Sequence, residues 1–420
     1  MYEKFTLDNG LRLLTEAMPH TRSVAINFFI GAGSRYESDK QAGISHFIEH
    51  VCFKGADKHP TSTEIATAIE GVGGMLNAGT DKELTVYWCK VAQPHFAIAL
   101  DVMSDILLHS KFDPAEIEKE RQVIIEEINM SLDYPAQRVS MLIDDLMWPG
   151  HPLGRDIAGS RESVTALSRE MMLDYLSRQY QPANAVLSIA GSIDPQETLE
   201  AVLQATAGWE NRPRPPKYQP YQSKTGRRVN IEKKETEQTQ LCLALPGLSL
   251  VHADRFKLDL LNIILGEGMS SRLFIEIRDK LGLAYSIQSY AEHFLDTGAM
   301  AIAAGVDNKN LAVAVKAIIA ELARLKETIP EAEISKAKEL FKGRIMLRME
   351  DSRSVAGWLG SQEILTGKIM TVDEVIAIVE AITAGEMQEL AARLLTGDKL
   401  HLAAVGPLDP DGPWEDLLKL

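Results

Sequence analysis

Apolar residues recur with two different periods along the chain, and the period separates strand-like from helix-like stretches. Runs with strand character, such as "RSVAINFFIGAG" and "TQLCLALPG", stand near the start of each half of the sequence. Stretches with apolar residues at helical spacing follow them, including "DPAEIEKERQVIIEEI" and "IPEAEISKAKELFKGRI". Each half then closes on another apolar strand-like run. The pattern predicts an α+β protein in which a mainly antiparallel sheet backed by helices is formed twice.

The two halves are also similar in detail. Their closing runs both end in Gly-x-x-Asp-Pro, at 191–195 and 406–410, which are 215 residues apart. The two helical stretches quoted above are offset by about 217 residues. A polar, proline-rich segment at 209–227 separates the halves and predicts a linker. We therefore predict two similar domains, 1–208 and 228–420, that arose by internal duplication.

The segment "HFIEH" at 46–50 carries the clearest candidate chemistry. Its surroundings predict a helix over 40–54, with Ser38 or Asp39 capping the start and Gly55 ending it. One face of this helix is apolar and comprises Ile44, Phe47, Ile48 and Val51.

The other face of this helix carries His46, Glu49 and His50. The two histidines are one turn apart, so both imidazoles can point at one metal ion. Glu49 lies beside them and could take a proton from a metal-bound water. The order of these residues is the inverted form of the His-Glu-x-x-His zinc signature.

Two imidazoles need a third ligand, and a second helical stretch offers carboxylates for it. Glu120 and Glu127 are seven residues apart and share one helix face, so that one can be a ligand and the other can support it. Glu126 points about 100° away from Glu127 and is the nearest rival for the ligand role.

Two histidines on a polar helix face can also be an accident. The internal repeat bears on that alternative. The offsets place apolar or basic residues opposite all five candidates, namely Leu261, Ile264, Leu265, Ala337 and Arg344. One half thus carries the whole polar set and the other none of it, which indicates an active domain and an inactive copy.

Composition and charge limit the classes of binding partner and the cellular compartment that are expected. The chain has 420 residues and a net charge of −15, which argues against binding to nucleic acid or to anionic membranes. Its three cysteines do not suggest a disulfide framework, so a reducing compartment is expected. The N-terminal stretch shows no secretory signal, and no apolar run approaches the roughly 18–20 residues that span a bilayer. We expect a cytoplasmic protein.

Five stretches together resemble the pitrilysin family of zinc metallopeptidases, and within it they look most like the bacterial processing proteases related to the mitochondrial processing peptidase. They are "GISHFIEHVCFKG", "GGMLNAGTDKELTVYW", "EKERQVIIEEI", "PLGRDIAG" and "GEGMSSRLFIEIRDKLGLAYSIQS". The resemblance covers nearly the whole chain. It implies that His46, His50 and Glu127 bind zinc, that Glu49 is the general base, and that Glu120 supports the ligands.

The resemblance also implies substrate contacts. Asn77 and Ala78 match an edge strand on which the substrate peptide is laid by β-augmentation, although Asn77 could equally be a turn residue. Arg278 and Tyr285 match residues that hold substrate and stabilise the oxyanion. The alternative for this pair is an ion pair of Arg278 with Glu276 or Asp279 and a half-buried core position for Tyr285.

The sequence therefore predicts a zinc-dependent endopeptidase or oligopeptidase that acts on unfolded peptides or leader segments. The resemblance implies a homodimer in which Arg278 and Tyr285 serve the other subunit. Other possibilities are a non-catalytic or partner-dependent core-type subunit of the same family, a peptide-binding module with a structural zinc, and surface histidines without a metal.

Overall fold

The strands of this chain form two sheets, and helices cover them. The structure, a computed structural model, describes residues 2–210, 217–224 and 226–420. In those residues the strands are β1 (Glu3–Thr6), β2 (Arg12–Ala17), β3 (Ser23–Ile30), β4 (Met75–Thr80), β5 (Thr85–Ala92), β6 (Ala185–Gly191), β7 (Val229–Lys233), β8 (Gln238–Pro246), β9 (Ala284–His293), β10 (Gly298–Asp307) and β11 (His401–Gly406). The α-helices are α1 (Ile44–Cys52), α2 (Ser62–Glu70), α3 (Phe96–Leu108), α4 (Pro114–Asp133), α5 (Pro135–Met147), α6 (Arg161–Ala166), α7 (Arg169–Gln179), α8 (Pro195–Ala205), α9 (Arg255–Gly266), α10 (Leu311–Arg324), α11 (Glu331–Arg348), α12 (Ser352–Thr366), α13 (Val372–Ala381) and α14 (Ala384–Leu394).

The chain divides into two compact units. The first unit comprises Met1–Ile128, Asp156–Gln219 and Met346–Met370, and the second comprises Asn129–Arg155, Pro220–Ile345 and Thr371–Leu420. Each unit thus includes one helix from the opposite half of the sequence, α12 in the first and α5 in the second. Within the predicted linker 209–227, residues 211–216 and 225 lie outside the described residues.

The first unit is built on a sheet with the strand order β1-β2-β6-β3-β5-β4. The pair β2–β6 is parallel, and every other neighbouring pair is antiparallel. Strand β3 is apolar on both sides and almost entirely buried, because α12 packs on one face of the sheet and the large core lies on the other. Strand β5 instead alternates between buried and half-buried residues, as expected near a sheet edge.

The second unit repeats this plan. Its sheet has the order β7-β11-β8-β10-β9, with a parallel pair β7–β11 and antiparallel pairs elsewhere. Counted from β4 in the first sheet and from β9 in the second, the parallel pair is the fourth neighbouring pair in both, and α5 packs on the second sheet as α12 does on the first. Both units are mainly antiparallel sheets backed by helices, which confirms the predicted α+β class.

No helix within the described ranges has both the length and the apolar character needed to cross a bilayer.

Candidate metal centre

The histidines of the "HFIEH" segment lie on α1, which is shorter than the sequence predicted. The helix begins at Ile44, and residues Asp39–Gln41 form only a separate 3-10 turn. The predicted start at residue 40 and the capping roles of Ser38 and Asp39 are therefore wrong. Gly43 separates the two segments because its φ of +91° lies in the left-handed region. At the other end the helix stops at Cys52, three residues before Gly55.

A buried carboxylate caps α1 from a distance. Oε2 of Glu37 accepts a hydrogen bond from the backbone N–H of Gly43 at 2.8 Å, and Oε1 accepts one from Ser45 at 2.9 Å. These N–H groups belong to the first turn, where an α-helix leaves its donors unpaired and favours negative charge. The start of α1 is thus held by an anion that lies six to eight residues upstream.

The start of α1 also crosses a second backbone segment closely. A Cβ on Gly43 would lie 2.4 Å from the carbonyl oxygen of Ala158, and a Cβ on Gly159 would lie 2.5 Å from that of Ala42. Only glycine fits at both positions. The stretch "PLGRDIAG" at 152–159 therefore ends at the crossing that fixes where the helix begins.

The predicted apolar face of α1 is buried, and the polar face points towards α4. Ile44, Phe47, Ile48 and Val51 are each at most 1% exposed. Nε2 of His46 and Nε2 of His50 lie 3.3 Å apart. Oε2 of Glu127, on α4, lies 3.9 Å from the first of these nitrogens and 3.6 Å from the second.

Among the described residues, these three side chains form the group that could hold a metal ion. One ligand atom from each of His46, His50 and Glu127 lies within 4.8 Å of the others. Burial, followed by the neighbouring His50, lowers the pKa of His46 to about 4, so its imidazole is neutral at pH 7, as metal binding requires. Glu126 is exposed and does not belong to the group. Two imidazole nitrogens and a carboxylate oxygen fit a zinc ion with a fourth position left open.

Glu120 contacts this group through His50. Its Oε2 lies 3.0 Å from Nδ1 of His50, and its Oε1 lies 2.6 Å from Nζ of Lys54. An ionised carboxylate can only accept a hydrogen bond, so this contact favours the His50 tautomer that carries its proton on Nδ1 and turns the lone pair of Nε2 towards the group. The sequence reasoning placed Glu120 correctly on the face of Glu127 but missed Lys54, although "GISHFIEHVCFKG" contains it.

Glu49 stands next to the group and is held by a strand. Its Oε2 accepts a hydrogen bond from Oγ1 of Thr80 at 2.6 Å, and Thr80 is the last residue of β4. Burial raises the pKa of Glu49, while the Thr80 hydrogen bond opposes that rise. The contact between residues 49 and 80 was not foreseen, and the only signal for it was the place of Thr80 in the "NAGT" stretch.

Strand β4 forms one edge of the first sheet within the described residues. Asn77 and Ala78 lie in the middle of this strand and pair with Trp88 and Tyr87 of β5. Asn77 is therefore a strand residue, and the alternative that it belongs to a turn is wrong. Its exposed side chain accepts a hydrogen bond from the N–H of Ala78 at 2.8 Å. Strand β4 ends beside Glu49, because its last residue, Thr80, donates the hydrogen bond to that carboxylate.

Arg278 and Tyr285 belong to the second unit, whereas the histidines belong to the first. The guanidinium of Arg278 lies 4.6 Å from the ring centroid of Phe274 and 5.7 Å from that of Tyr285. Tyr285 is 76% exposed, and Glu276 pairs with Lys280 at 2.8 Å. Among the described residues, Arg278 makes no ion pair with Glu276 or with Asp279, so the alternative of such a pair beside a half-buried core tyrosine is wrong. Arg278 lies in a π-helical segment, Phe274–Lys280, a rare conformation that is frequent at functional sites.

The second unit has no counterpart of the polar group at the positions given by the repeat. Helix α9 carries Leu261, Ile264 and Leu265, which are 1%, 2% and 0% exposed and belong to the core. On α11, Ala337 is buried, and Arg344 is exposed and pairs with Glu267.

The fold and the group define a class of protein: a duplicated α+β chain in which one copy presents a His–His–Glu group with a further carboxylate beside it. Residues 12–161 match the family model described as insulinase (peptidase family M16), and residues 166–341 match the peptidase M16 inactive domain. A Bacillus subtilis protein named uncharacterized zinc protease YmxG is 37% identical over an alignment 419 positions long, which covers 97% of this chain and 98% of that protein. The chain belongs to peptidase family M16.

One further relative agrees with this placement, and two solved structures share the fold. A Streptomyces coelicolor protein, also named as an uncharacterized zinc protease, is 33% identical over 96% of this chain and 89% of its own length. The crystal structure of a Helicobacter pylori protease matches with a TM-score of 0.91 at 23% identity, covering 97% of this chain and 99% of that one. A chain of Candida albicans complex III2 matches with a TM-score of 0.86 at 19% identity over all of both chains. The two solved structures show that the fold is shared.

Proposed function

We propose that this chain is a zinc-dependent endopeptidase or oligopeptidase of the pitrilysin type, which cleaves unfolded peptides or leader segments. The observation that carries the proposal is the convergence of His46, His50 and Glu127, with Glu49 close enough to interact electrostatically with His50 and Glu127. The printed names of the relatives, which are zinc proteases, support the choice of metal. Kinship with the bacterial processing proteases is part of the proposal and rests on the sequence motifs.

The roles of the residues follow from their positions. Zinc bound by the three ligands would supply a Lewis acid that activates water and polarises the scissile carbonyl. Glu49 accepts the proton of the attacking water and delivers it to the leaving amine nitrogen. Thr80 keeps the carboxylate in place by its 2.6 Å hydrogen bond.

The substrate is proposed to lie along the edge of β4. An extended peptide added there would form main-chain hydrogen bonds, which accept many sequences and require an unfolded segment. Asn77 and Ala78 are the strand residues proposed to contact it. Because Thr80 ends the same strand, a peptide in this position would run towards Glu49.

Arg278 and Tyr285 are proposed to act on the substrate at the centre of the other subunit of a homodimer. Both side chains are exposed, and the guanidinium stands over the tyrosine ring, so that two hydrogen-bond donors are held together. Fixed donors of this kind can stabilise the negative charge that develops on a carbonyl oxygen.

The test is peptide cleavage combined with zinc content. Glu49→Gln should keep its zinc and lose cleavage by about 10²–10⁴-fold, the usual contribution of a general base. Glu127→Gln should lose both zinc and cleavage. Glu126→Gln is the matched control, because it changes the neighbouring glutamate outside the group, and it should keep both. Cleavage by Glu49→Gln at the wild-type rate, or zinc loss in Glu126→Gln alone, would refute the assignment.

The second candidate is a core-type or partner-dependent subunit of the same family. Two observations support this candidate: residues 166–341 match a domain described as inactive, and the positions on α9 that correspond to His46, Glu49 and His50 are apolar and buried. Zinc in the wild type without cleavage of any peptide in a mixed library, read by mass spectrometry, would support this candidate. Cleavage by the purified chain alone would exclude it.

A further inference from the structure

Lys54 occupies a fixed place just beyond the C-terminal end of α1. Its backbone N–H donates to the carbonyl of Val51 at 3.0 Å, which continues the last turn of the helix. The next residue, Gly55, has a φ of +140°, and a Cβ there would lie 2.4 Å from the carbonyl oxygen of Pro60. The carbonyl of Gly55 accepts the N–H of Lys111 at 3.0 Å. These contacts fix the backbone position from which the side chain of Lys54 extends.

The side chain of Lys54 reaches the carboxylate that supports the metal group. Its Nζ lies 2.6 Å from Oε1 of Glu120, whose other oxygen lies 3.0 Å from Nδ1 of His50. The side chain of Glu120 is 7% exposed and that of Lys54 is 27% exposed. Lys54, Glu120 and His50 thus form a continuous chain of contacts from the helix end to a proposed ligand.

Lys54 brings a positive charge to a group that is rich in carboxylates. Glu49, Glu120 and Glu127 bring three carboxylates to two imidazoles. In the described part of the chain, Lys54 is the only lysine or arginine that makes an ion pair with any of these three glutamates. A carboxylate as buried as Glu120 is costly without such a partner, because both of its oxygens then need compensation.

We propose that Lys54 is a positioning residue of the metal centre, which acts through Glu120 to hold His50 for the ion. Lys54 satisfies and anchors one oxygen of Glu120, so that the other oxygen stays at Nδ1 of His50. The imidazole then keeps its orientation and presents Nε2 to the ion. The inference rests on the proposed function only in taking His50 as a ligand, and it holds for any divalent ion bound there.

The direction in which zinc affinity changes when Lys54 is replaced distinguishes a positioning role from a purely electrostatic one. A lysine close to a divalent cation repels it, so Coulomb's law alone predicts that removing Lys54 tightens metal binding. Positioning predicts the opposite, because Glu120 would turn away and His50 would lose its acceptor. Loss of a partner that orients a ligand weakens metal affinity by about 10–100-fold, and a residue one step further out should lie near the lower figure.

The experiment measures zinc affinity of the full chain by competition with a chelator at one fixed pH. The variants are Lys54→Met, Lys54→Arg, Glu120→Gln and the double variant Lys54→Met/Glu120→Gln. Lys58→Met is the matched control, because Lys58 is also a lysine near this turn but its exposed side chain pairs with Asp101. Circular dichroism of the metal-free proteins reports folding, and Lys54→Gln replaces the methionine variant if that variant does not fold.

Lys54→Met should weaken zinc binding by about tenfold. Lys54→Arg should restore most of the affinity, and Lys58→Met should bind as the wild type does. In the Glu120→Gln background the loss of Lys54 should add little, because both changes break the same chain of contacts.

Unchanged or tighter zinc binding in Lys54→Met would overturn the inference, as would a full additional loss in the double variant. If the variants give such a result while the wild type binds zinc and cleaves peptides, the proposed function stands and only the role of Lys54 is refuted. A wild type that binds no zinc refutes both.

Discussion

Glu37 should be a sensitive non-ligand position for the stability of α1. It is 3% exposed, and its two oxygens accept the N–H groups of Gly43 and Ser45. In Glu37→Gln the side chain keeps nearly the same shape but has only one acceptor oxygen. The amide nitrogen then faces a backbone N–H, so that one buried donor loses its partner and the helix start loses its anion.

The expected cost follows from these two losses. A hydrogen bond to a charged group contributes about 1.5–3 kcal/mol, and a buried donor without a partner is costly by a similar amount. Loss of a negative charge at a helix N-terminus costs a further 0.3–1 kcal/mol or so. We expect Glu37→Gln to lower the free energy of unfolding of the first unit by about 2–4 kcal/mol.

The assay is urea denaturation of the metal-free protein, with each transition fitted separately because a chain of two units need not unfold in one step. Asp194→Asn is the control. Oδ1 of Asp194 also accepts two backbone N–H groups at a helix start, both at 2.9 Å, but the residue is exposed. Asparagine caps about as well as aspartate, so that variant should lose less than about 1 kcal/mol. Equal losses in the two variants would refute the reasoning from burial and charge.

Three further outcomes are expected. Thr80→Val should lower kcat about tenfold with little change in KM, since Glu49 loses a charge-assisted hydrogen bond. Thr80→Ser keeps the hydroxyl and should have nearly the wild-type kcat. A wild-type kcat in the valine variant would contradict this reasoning. Gly43→Ala should lower the free energy of unfolding, measured by urea denaturation, by about 1–3 kcal/mol or more, because φ is +91° and the new Cβ would clash with the carbonyl oxygen of Ala158. Zinc at about 100 times its Kd should stabilise the protein by about 2.7 kcal/mol, and His46→Ala should abolish that gain in thermal unfolding.

The α+β class could be predicted because hydrophobic periodicity is a local signal. Strand β3 and the apolar face of α1 both show their burial directly in the sequence. The start of α1 was predicted wrongly because Ser38 and Asp39 are good capping residues in a local sense. The actual cap, Glu37, lies outside the spacing of the known capping motifs, and the left-handed glycine that breaks the helix acts through a contact with residue 158.

The candidate site divides in the same way. His46, His50 and the common face of Glu120 and Glu127 follow from helix geometry, which relates residues four and seven positions apart. Thr80 and Lys54 reach their partners across 31 and 66 residues of sequence, so no periodicity connects them with Glu49 and Glu120. Such contacts depend on how α1, α4 and β4 are packed, and packing is not a local property of the sequence.

The contrast between α1 and α9 shows what the polar group costs the fold. On α1 the polar set is half-buried and must be satisfied by neighbours on α4 and β4. On α9 the equivalent positions are leucine and isoleucine, and each such side chain contributes about 1.5–3 kcal/mol when it is fully buried. A helix that served only to support the sheet would gain stability by the exchange that α9 shows. The first copy forgoes that gain at three positions of one turn, and local rules of folding are broken in this way chiefly where function requires it.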